Sequence, residues 1–138
     1  MTATGTPPPG NPEGFGPLQL LVVQPTPYCN LDCDYCYLPN RDDRQRLSLE
    51  LLEAALARVL ESPYVGGDFT LLWHAGEPLT VPIAFYDAAA DGVRRALEGW
   101  TGEPLTIHQS VQTNATLIND AWCDCFERNG IAVGVSMD

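Results

Sequence analysis

Positive charge is scarce in this chain. Lys and Arg together number 7 against 18 Asp and Glu, and the formal net charge is -11. A balance this acidic excludes attachment to nucleic acid or to an anionic membrane through bulk charge. Long apolar runs are missing as well. The longest near the start, Leu20-Leu21-Val22-Val23, falls far short of the roughly 20 residues that a membrane span requires. The opening "MTATGTPPPG" has neither the basic start nor the apolar core of a secretory signal. A cytoplasmic protein with no nucleic-acid and no membrane partner is therefore expected. An even number of cysteines is lacking too: the 5 present cannot all pair, so they read as thiols or ligands rather than as a disulfide framework. No internal repeat is visible.

What is present fits one globular domain. The 138 residues are 45% hydrophobic, enough to bury a core. Residues 1–17, "TPPPGNPEGFGP" above all, are rich in Pro and Gly and have little to bury; they are expected to form a disordered tail. Order is expected from residue 18. Residues 18–23 form a short, partly β-branched apolar run that predicts a buried strand ended by Pro25 and Pro27. Ser48 is placed to cap a helix whose buried face is Leu51, Leu52, Ala55, Leu56, Val59 and Leu60. "DFTLLWH" predicts a second strand, Pro82 to Leu97 a second helix, and "LTIHQSVQ" a third strand. Asn119 caps a third helix that Gly130 ends, and "IAVGVSMD" predicts a fourth strand. Strict β-α alternation predicts about four parallel strands with three right-handed crossover helices, an α/β class. The loops that leave the strands then share one end of the sheet: the cysteine loop, "HAGEP", "QTNAT" and "SMD".

The cysteine loop, "CNLDCDYCY", holds Cys29, Cys33 and Cys36 in C-x3-C-x2-C spacing. A closed zinc site takes four ligands, commonly as two C-x2-C pairs, and here no fourth close ligand exists. Cys123 and Cys125 stand two apart on a predicted helix, point to different sides, and read as ordinary thiols. A redox C-x-x-C employs only the last pair and leaves Cys29 idle. A 4Fe-4S cluster held by three cysteines leaves one iron open to an exogenous ligand, which is a catalytic arrangement.

With an aromatic residue just before its third cysteine, "CNLDCDYC" resembles the signature of the radical S-adenosylmethionine enzymes. Further matches follow in order: "WHAGEPL" (73–79) resembles the family's Gly-Gly-Glu-Pro segment, "QTNATLI" (112–118) its Gln-Thr-Asn segment, and "VGVSMD" (133–138) its fourth strand. Together they are most similar to the branch of sulfatase-maturing enzymes and SPASM-domain peptide maturases. Within it, "QPTPYCNLDCDYCYLP" with "WHAGEPL" is most similar to the cyclophane-forming maturases of Gly-rich precursor peptides.

The resemblance implies a fold, a cofactor set and a chemistry. Residues 18–138 are expected to be the N-terminal half of a partial TIM-like (βα)6 barrel, truncated within the fourth strand and by itself incomplete for turnover. Cys29, Cys33 and Cys36 are expected to ligate a 4Fe-4S cluster whose open iron binds S-adenosyl-L-methionine. Reduction then yields a 5′-deoxyadenosyl radical that abstracts hydrogen from a substrate. Tyr35 is expected near the adenine, or packed under the loop. Ala75, Gly76, Glu77 and Pro78 are expected to approach the methionine amino group mainly through backbone, with Ala75 standing where the family has Gly. Gln112, Thr113 and Asn114 line the cofactor or substrate cavity, or else form a polar turn in which Asn114 adopts a left-handed conformation. Ser136, a hydroxyl in a strand read as buried, takes S-adenosylmethionine as its partner. His74 and His108 read as structural histidines, and Trp73, Trp122 and Phe126 as core. The implied partners are a ribosomal precursor peptide, crosslinked between an aromatic ring and another side chain, and an electron donor such as flavodoxin or ferredoxin. Two alternatives stand beside this: a sulfatase-maturing enzyme, and a non-catalytic half-domain that binds a cluster or metal.

Overall fold

The computed structural model describes residues 14–137; the expectation of a disordered tail over residues 1–17 falls mostly outside that range. Four strands, β1 (Leu20–Val23), β2 (Phe69–Trp73), β3 (Ile107–Thr113) and β4 (Ile131–Val135), alternate with helices α1 (Leu49–Leu60), α2 (Ile83–Glu98) and α3 (Asp120–Asn129). All pairings are parallel and the strands lie in the order β1-β2-β3-β4. The architecture is the expected α/β one, with each strand beside the strand that precedes it in sequence.

Local chemistry sets the boundaries. Ser48 Oγ accepts the Leu51 N–H at 3.1 Å, which satisfies an orphan donor at the start of α1. Asn119 Oδ1 does the same for Trp122 N–H at 3.0 Å, and Gly130 leaves α3 in the left-handed region at φ 63. Pro82 precedes α2 rather than opening it, and provides no side-chain cap. Glu77 supplies one nearby, capping a short 3-10 turn at Pro78–Thr80.

The register places Phe69, Leu71, Trp73, Ile107, Val111 and Ile131 on one sheet face. They form the core with Leu52 and Leu56 of α1, Tyr86, Ala89 and Val93 of α2, and Trp122, Cys125 and Phe126 of α3. All three helices therefore cover the same face, as right-handed crossovers require. An aromatic chain runs through this layer: Trp73 meets Phe85 and Tyr86 edge-on, and Tyr86 meets Trp122 at 5.6 Å. Each such pair adds about 0.5–1.5 kcal/mol beyond burial. Trp73 Nε1 donates to Gln109 Oε1 at 3.2 Å, so both buried polar groups are satisfied.

The opposite face carries Leu20, Val22, Thr70, Leu72, His108 and Ser110, none of them buried. This corrects the reading of β1 as a buried strand. Leu20 and Val22 are 49% and 52% exposed, because β1 lies at the sheet's edge and only alternate residues meet the helices. Among the described residues no helix is long and apolar enough to cross a membrane.

Tyr86 gives the fold an alkaline limit. Its hydroxyl donates to the Pro78 carbonyl at 2.6 Å. Burial, with Glu77 and Cys125 as lesser causes, pushes its pKa far above the ordinary 10.0. The folded chain thus favours the neutral phenol, while the unfolded chain ionises near pH 10.0. The stability this contributes is complete below that pH and falls above it, by up to about 1.4 kcal/mol per pH unit. Urea unfolding from pH 9 to 11 should show the decline; Tyr86→Phe should lessen it, leaving the part due to the Cys125 thiol, which burial also pushes up, while costing about 1 kcal/mol at neutral pH for the lost hydrogen bond.

Candidate functional site

Three loops at the C-terminal end of the sheet build one site. The first leaves β1 and is fastened to its own far end. Leu47 N–H donates to Pro25 O (2.8 Å) and Cys29 N–H to Arg41 O (2.9 Å). Thr26, buried, donates its hydroxyl to Gln45 O at 2.6 Å and accepts the Tyr28 N–H at 3.2 Å. Arg41 donates to Cys33 O at 3.2 Å and pairs with Asp32 at 2.8 Å. Arg44 lies 4.0 Å over the Tyr28 ring. Cys29, Cys33 and Cys36 are free thiols, all half-buried. Cys36 N–H donates to Cys33 O at 3.1 Å, which turns the C-x2-C segment back on itself.

The second loop leaves β2. Ala75 and Gly76 both adopt left-handed conformations, at φ 75 and φ 61. Gly76 lies so close to the cysteine loop that a Cβ there would press on the Thr26 carbonyl oxygen and come within 2.7 Å of the Tyr28 carbonyl oxygen. Glu77 N–H then donates to Tyr28 O at 2.8 Å. The Glu77 side chain is 1% exposed. Its carboxyl oxygens accept from Thr113 Oγ1 (2.6 Å), Asn114 N–H (2.8 Å) and Leu79 N–H (3.0 Å). This residue therefore ties the loop after β2 to the third loop, which leaves β3.

Ala75 carries the strain that Gly escapes, since a left-handed L-residue costs roughly 1–2 kcal/mol. Restoring Gly relieves it but adds freedom to the unfolded chain. Ala75→Gly should therefore stabilise the fold by about 0.5 kcal/mol, read as a small rise in the urea midpoint.

The loops enclose a cavity of about 390 Å³. Ten residues expected at the site line it: Cys29, Cys33, Cys36, Tyr35, Gly76, Glu77, Gln112, Thr113, Asn114 and Ser136. Leu31 and His74 line it too. Neither was expected, although His74 directly precedes "AGEP" at the end of β2 and that position was the available signal. Ala75 and Pro78 are not among the lining residues. Pro78 is buried beneath, with its carbonyl taken by Tyr86.

Several local expectations are corrected. Tyr35 is 68% exposed, not packed under the loop. Ser136 lies beyond the end of β4 and is exposed; its Oγ accepts from Gln112 Nε2 at 2.9 Å, so the hydroxyl is neither buried nor in a strand. The left-handed residue of "QTNAT" is Ala115 (φ 65), not Asn114. Cys123 is exposed and Cys125 buried, so the two do face apart. Among the described residues no three His, Cys, Asp or Glu side chains gather around a single-ion position.

The order of these loops on parallel strands has a counterpart among known proteins. The family model of the radical SAM superfamily matches residues 23–138, and the chain belongs to that superfamily, whose cofactors are a 4Fe-4S cluster and S-adenosylmethionine. Among particular relatives, an uncharacterised protein of Synechocystis sp. is 45% identical over 124 residues, covering 90% of this chain and 31% of its own. The serine-type anaerobic sulfatase-maturating enzyme of Klebsiella aerogenes is 35% identical over 130 residues, covering 92% of this chain and 31% of its own. Native anSMEcpe, solved with bound AdoMet and the Cp18Cys peptide, superposes with TM-score 0.71 at 30% identity, over 88% of this chain and 32% of that one. Streptococcus suis SuiB, bound to its precursor peptide SuiA, gives 0.58 at 25% identity, over 89% and 25%. The chain thus spans about a third of the length of the curated relatives it matches.

Proposed function

We propose that Cys29, Cys33 and Cys36 hold the 4Fe-4S cluster, that the adjoining cavity takes S-adenosylmethionine, and that the whole protein modifies a side chain of a peptide. One observation carries this reading. Three free, half-buried thiols on one loop face the same cavity as Gly76 on the loop after β2, Gln112 at the end of β3 and Asn114 on the loop that follows it. The donor set suits the group: soft thiolates bind iron-sulfur clusters, and three of them leave one iron for an exogenous ligand.

With both groups bound, the site supplies reductive cleavage of the sulfonium carbon-sulfur bond and a 5′-deoxyadenosyl radical that abstracts hydrogen. The chain's own residues do the positioning. The fastenings at Arg41 and Thr26 hold the thiols in place, the Gly76 turn brings the second loop against them, and Glu77 fixes the third loop's height above the sheet. Gln112 and Ser136 close the cavity on the side of β4. Residues 18–138 are read as the first half of the family's catalytic barrel, a reading supported by the consecutive parallel order β1 to β4.

For the substrate, the finer reading is a ribosomal precursor peptide crosslinked as a cyclophane: the likeness to SuiB supports a precursor peptide, and the "QPTPYCNLDCDYCYLP" and "WHAGEPL" segments support the crosslink. Maturation of a sulfatase is the second reading, favoured by the higher TM-score to anSMEcpe. An electron donor such as flavodoxin or ferredoxin belongs to both.

Anaerobic reconstitution with iron and sulfide tests the cluster ligands. Wild type and Cys123→Ala should retain iron and visible charge-transfer absorbance. Cys29→Ala, Cys33→Ala and Cys36→Ala should each lose most of both. Full iron in any of those three variants would remove that residue from the ligand set. Addition of dithionite and S-adenosylmethionine, with 5′-deoxyadenosine read by mass spectrometry, tests the chemistry. Incubation with a candidate precursor peptide or a sulfatase peptide then separates the two substrate readings by product mass.

A further inference from the structure

The first and third loops also meet through a ring of polar side chains. Asn30 Nδ2 donates to Thr116 Oγ1 at 2.9 Å, Thr116 Oγ1 donates to Asn114 Oδ1 at 2.8 Å, and Asn114 Nδ2 donates to Asn30 Oδ1 at 3.0 Å. The direction of this ring is fixed by chemistry. The Thr116 backbone N–H can only donate, and it donates to Asn114 Oδ1 at 3.1 Å. The carbonyl end of the Asn114 amide must therefore face Thr116, and its NH2 must face the first loop. There the same Nδ2 reaches Cys29 Sγ at 4.0 Å. That sulfur also accepts the Leu31 N–H at 3.5 Å. The main chain of Asn114 is anchored independently, through its N–H to Glu77 at 2.8 Å.

We propose, resting on the reading of Cys29 as a cluster ligand, that Asn114 is a positioning residue that tunes the reduction potential of the cluster by donating an N–H···S hydrogen bond to the Cys29 thiolate. Asn30 and Thr116 hold its amide at the angle that makes the bond. A hydrogen bond to a ligating sulfur draws negative charge from it and so stabilises the reduced, more negative state. The three side chains thereby keep the potential higher than the thiolates alone would set it. The loop after β3 acts on the cluster electronically, without ligating it.

The test is the midpoint potential of the one-electron couple, measured on the reconstituted chain by titration with dithionite and mediators under electron paramagnetic resonance. Iron per chain is measured in parallel. Asn114→Ala removes the donor but retains the backbone anchor on Glu77. Thr116→Val leaves Asn114 in place with its Oδ1 still on the Thr116 backbone N–H, and removes the hydroxyl that braces both Asn30 and Asn114. Both midpoints should move to more negative values at wild-type iron content, Asn114→Ala by more. Midpoints equal to wild type in both variants, with iron retained, would overturn the inference and leave the ligand reading intact. A wild-type chain that holds no iron would overturn the ligand reading, and this inference with it. Should Asn114→Ala lose iron, the Asn114→Leu midpoint decides, since Leu keeps nearly the size of the side chain without its donor: a negative shift supports the inference, and an unchanged value overturns it.

Discussion

Replacing Glu77 with Ala should cost the fold about 3–5 kcal/mol, a large share of the stability of a domain this size. The reason is the number of donors left behind. Glu77 accepts from Thr113 Oγ1, Asn114 N–H and Leu79 N–H in a site only 1% exposed. Each buried donor stranded by the truncation costs roughly 1–3 kcal/mol, since water does not easily replace the carboxyl group there. Glu77→Gln should cost less, about 1–2 kcal/mol: it retains one oxygen but turns an NH2 toward one of the donors. Urea unfolding at neutral pH reads both. An Ala variant within 1 kcal/mol of wild type would mean that the site relaxes or admits water, and that Glu77 does not hold the two loops together.

Gly76→Ala should be nearly as damaging, at about 3 kcal/mol or more. Two costs add. A left-handed L-residue is worth roughly 1–2 kcal/mol of strain. The new methyl also presses on the Thr26 and Tyr28 carbonyl oxygens, which belong to backbone and cannot swing aside as a flexible side chain would. Those carbonyls lie just ahead of Cys29, so relief of the clash displaces the cysteine loop. Iron retention after reconstitution should fall together with stability. Ala75 is the built-in control, because it already holds φ 75 with a Cβ in place. The difference between the two positions is therefore contact with the cysteine loop rather than backbone conformation. Wild-type stability and iron content in Gly76→Ala would refute that account.

Both residues show how far the sequence could be read. Periodicity located the helices and strands, and Leu52, Leu56, Trp73, Val111, Trp122 and Phe126 report burial through spacing alone; Leu51 and Ala55, read with the buried face of α1, are instead exposed, because only the narrower Leu52–Leu56 stripe meets the sheet. The C-x3-C-x2-C spacing and the segments after β2 and β3 located the cavity, because parallel strands deliver their following loops to one end. What spacing cannot report is the partner of a polar side chain. Glu77 read as part of a backbone contact, while its carboxyl group is consumed by residues 36 and 37 positions away. Ser136 read as buried because it continues an apolar alternation, but β4 ends one residue earlier. Residues 20 and 22 read as interior because they are apolar; their face is open because all three helices pack on the other side of the sheet, which spacing within one strand cannot report.

The sheet order β1-β2-β3-β4 has a consequence for how the chain acquires its shape. Among the described residues β2, β3 and β4 each pair with the strand made just before them, so each finds a partner already synthesised when it leaves the ribosome. Each β-α step closes a loop of a few tens of residues, and the entropy of closure grows only slowly with loop length. Domains of this kind can assemble from the N-terminus while synthesis continues. The cysteine loop, fastened within residues 25–47, becomes self-contained first. It meets its second and third walls only as β2 and then β3 arrive.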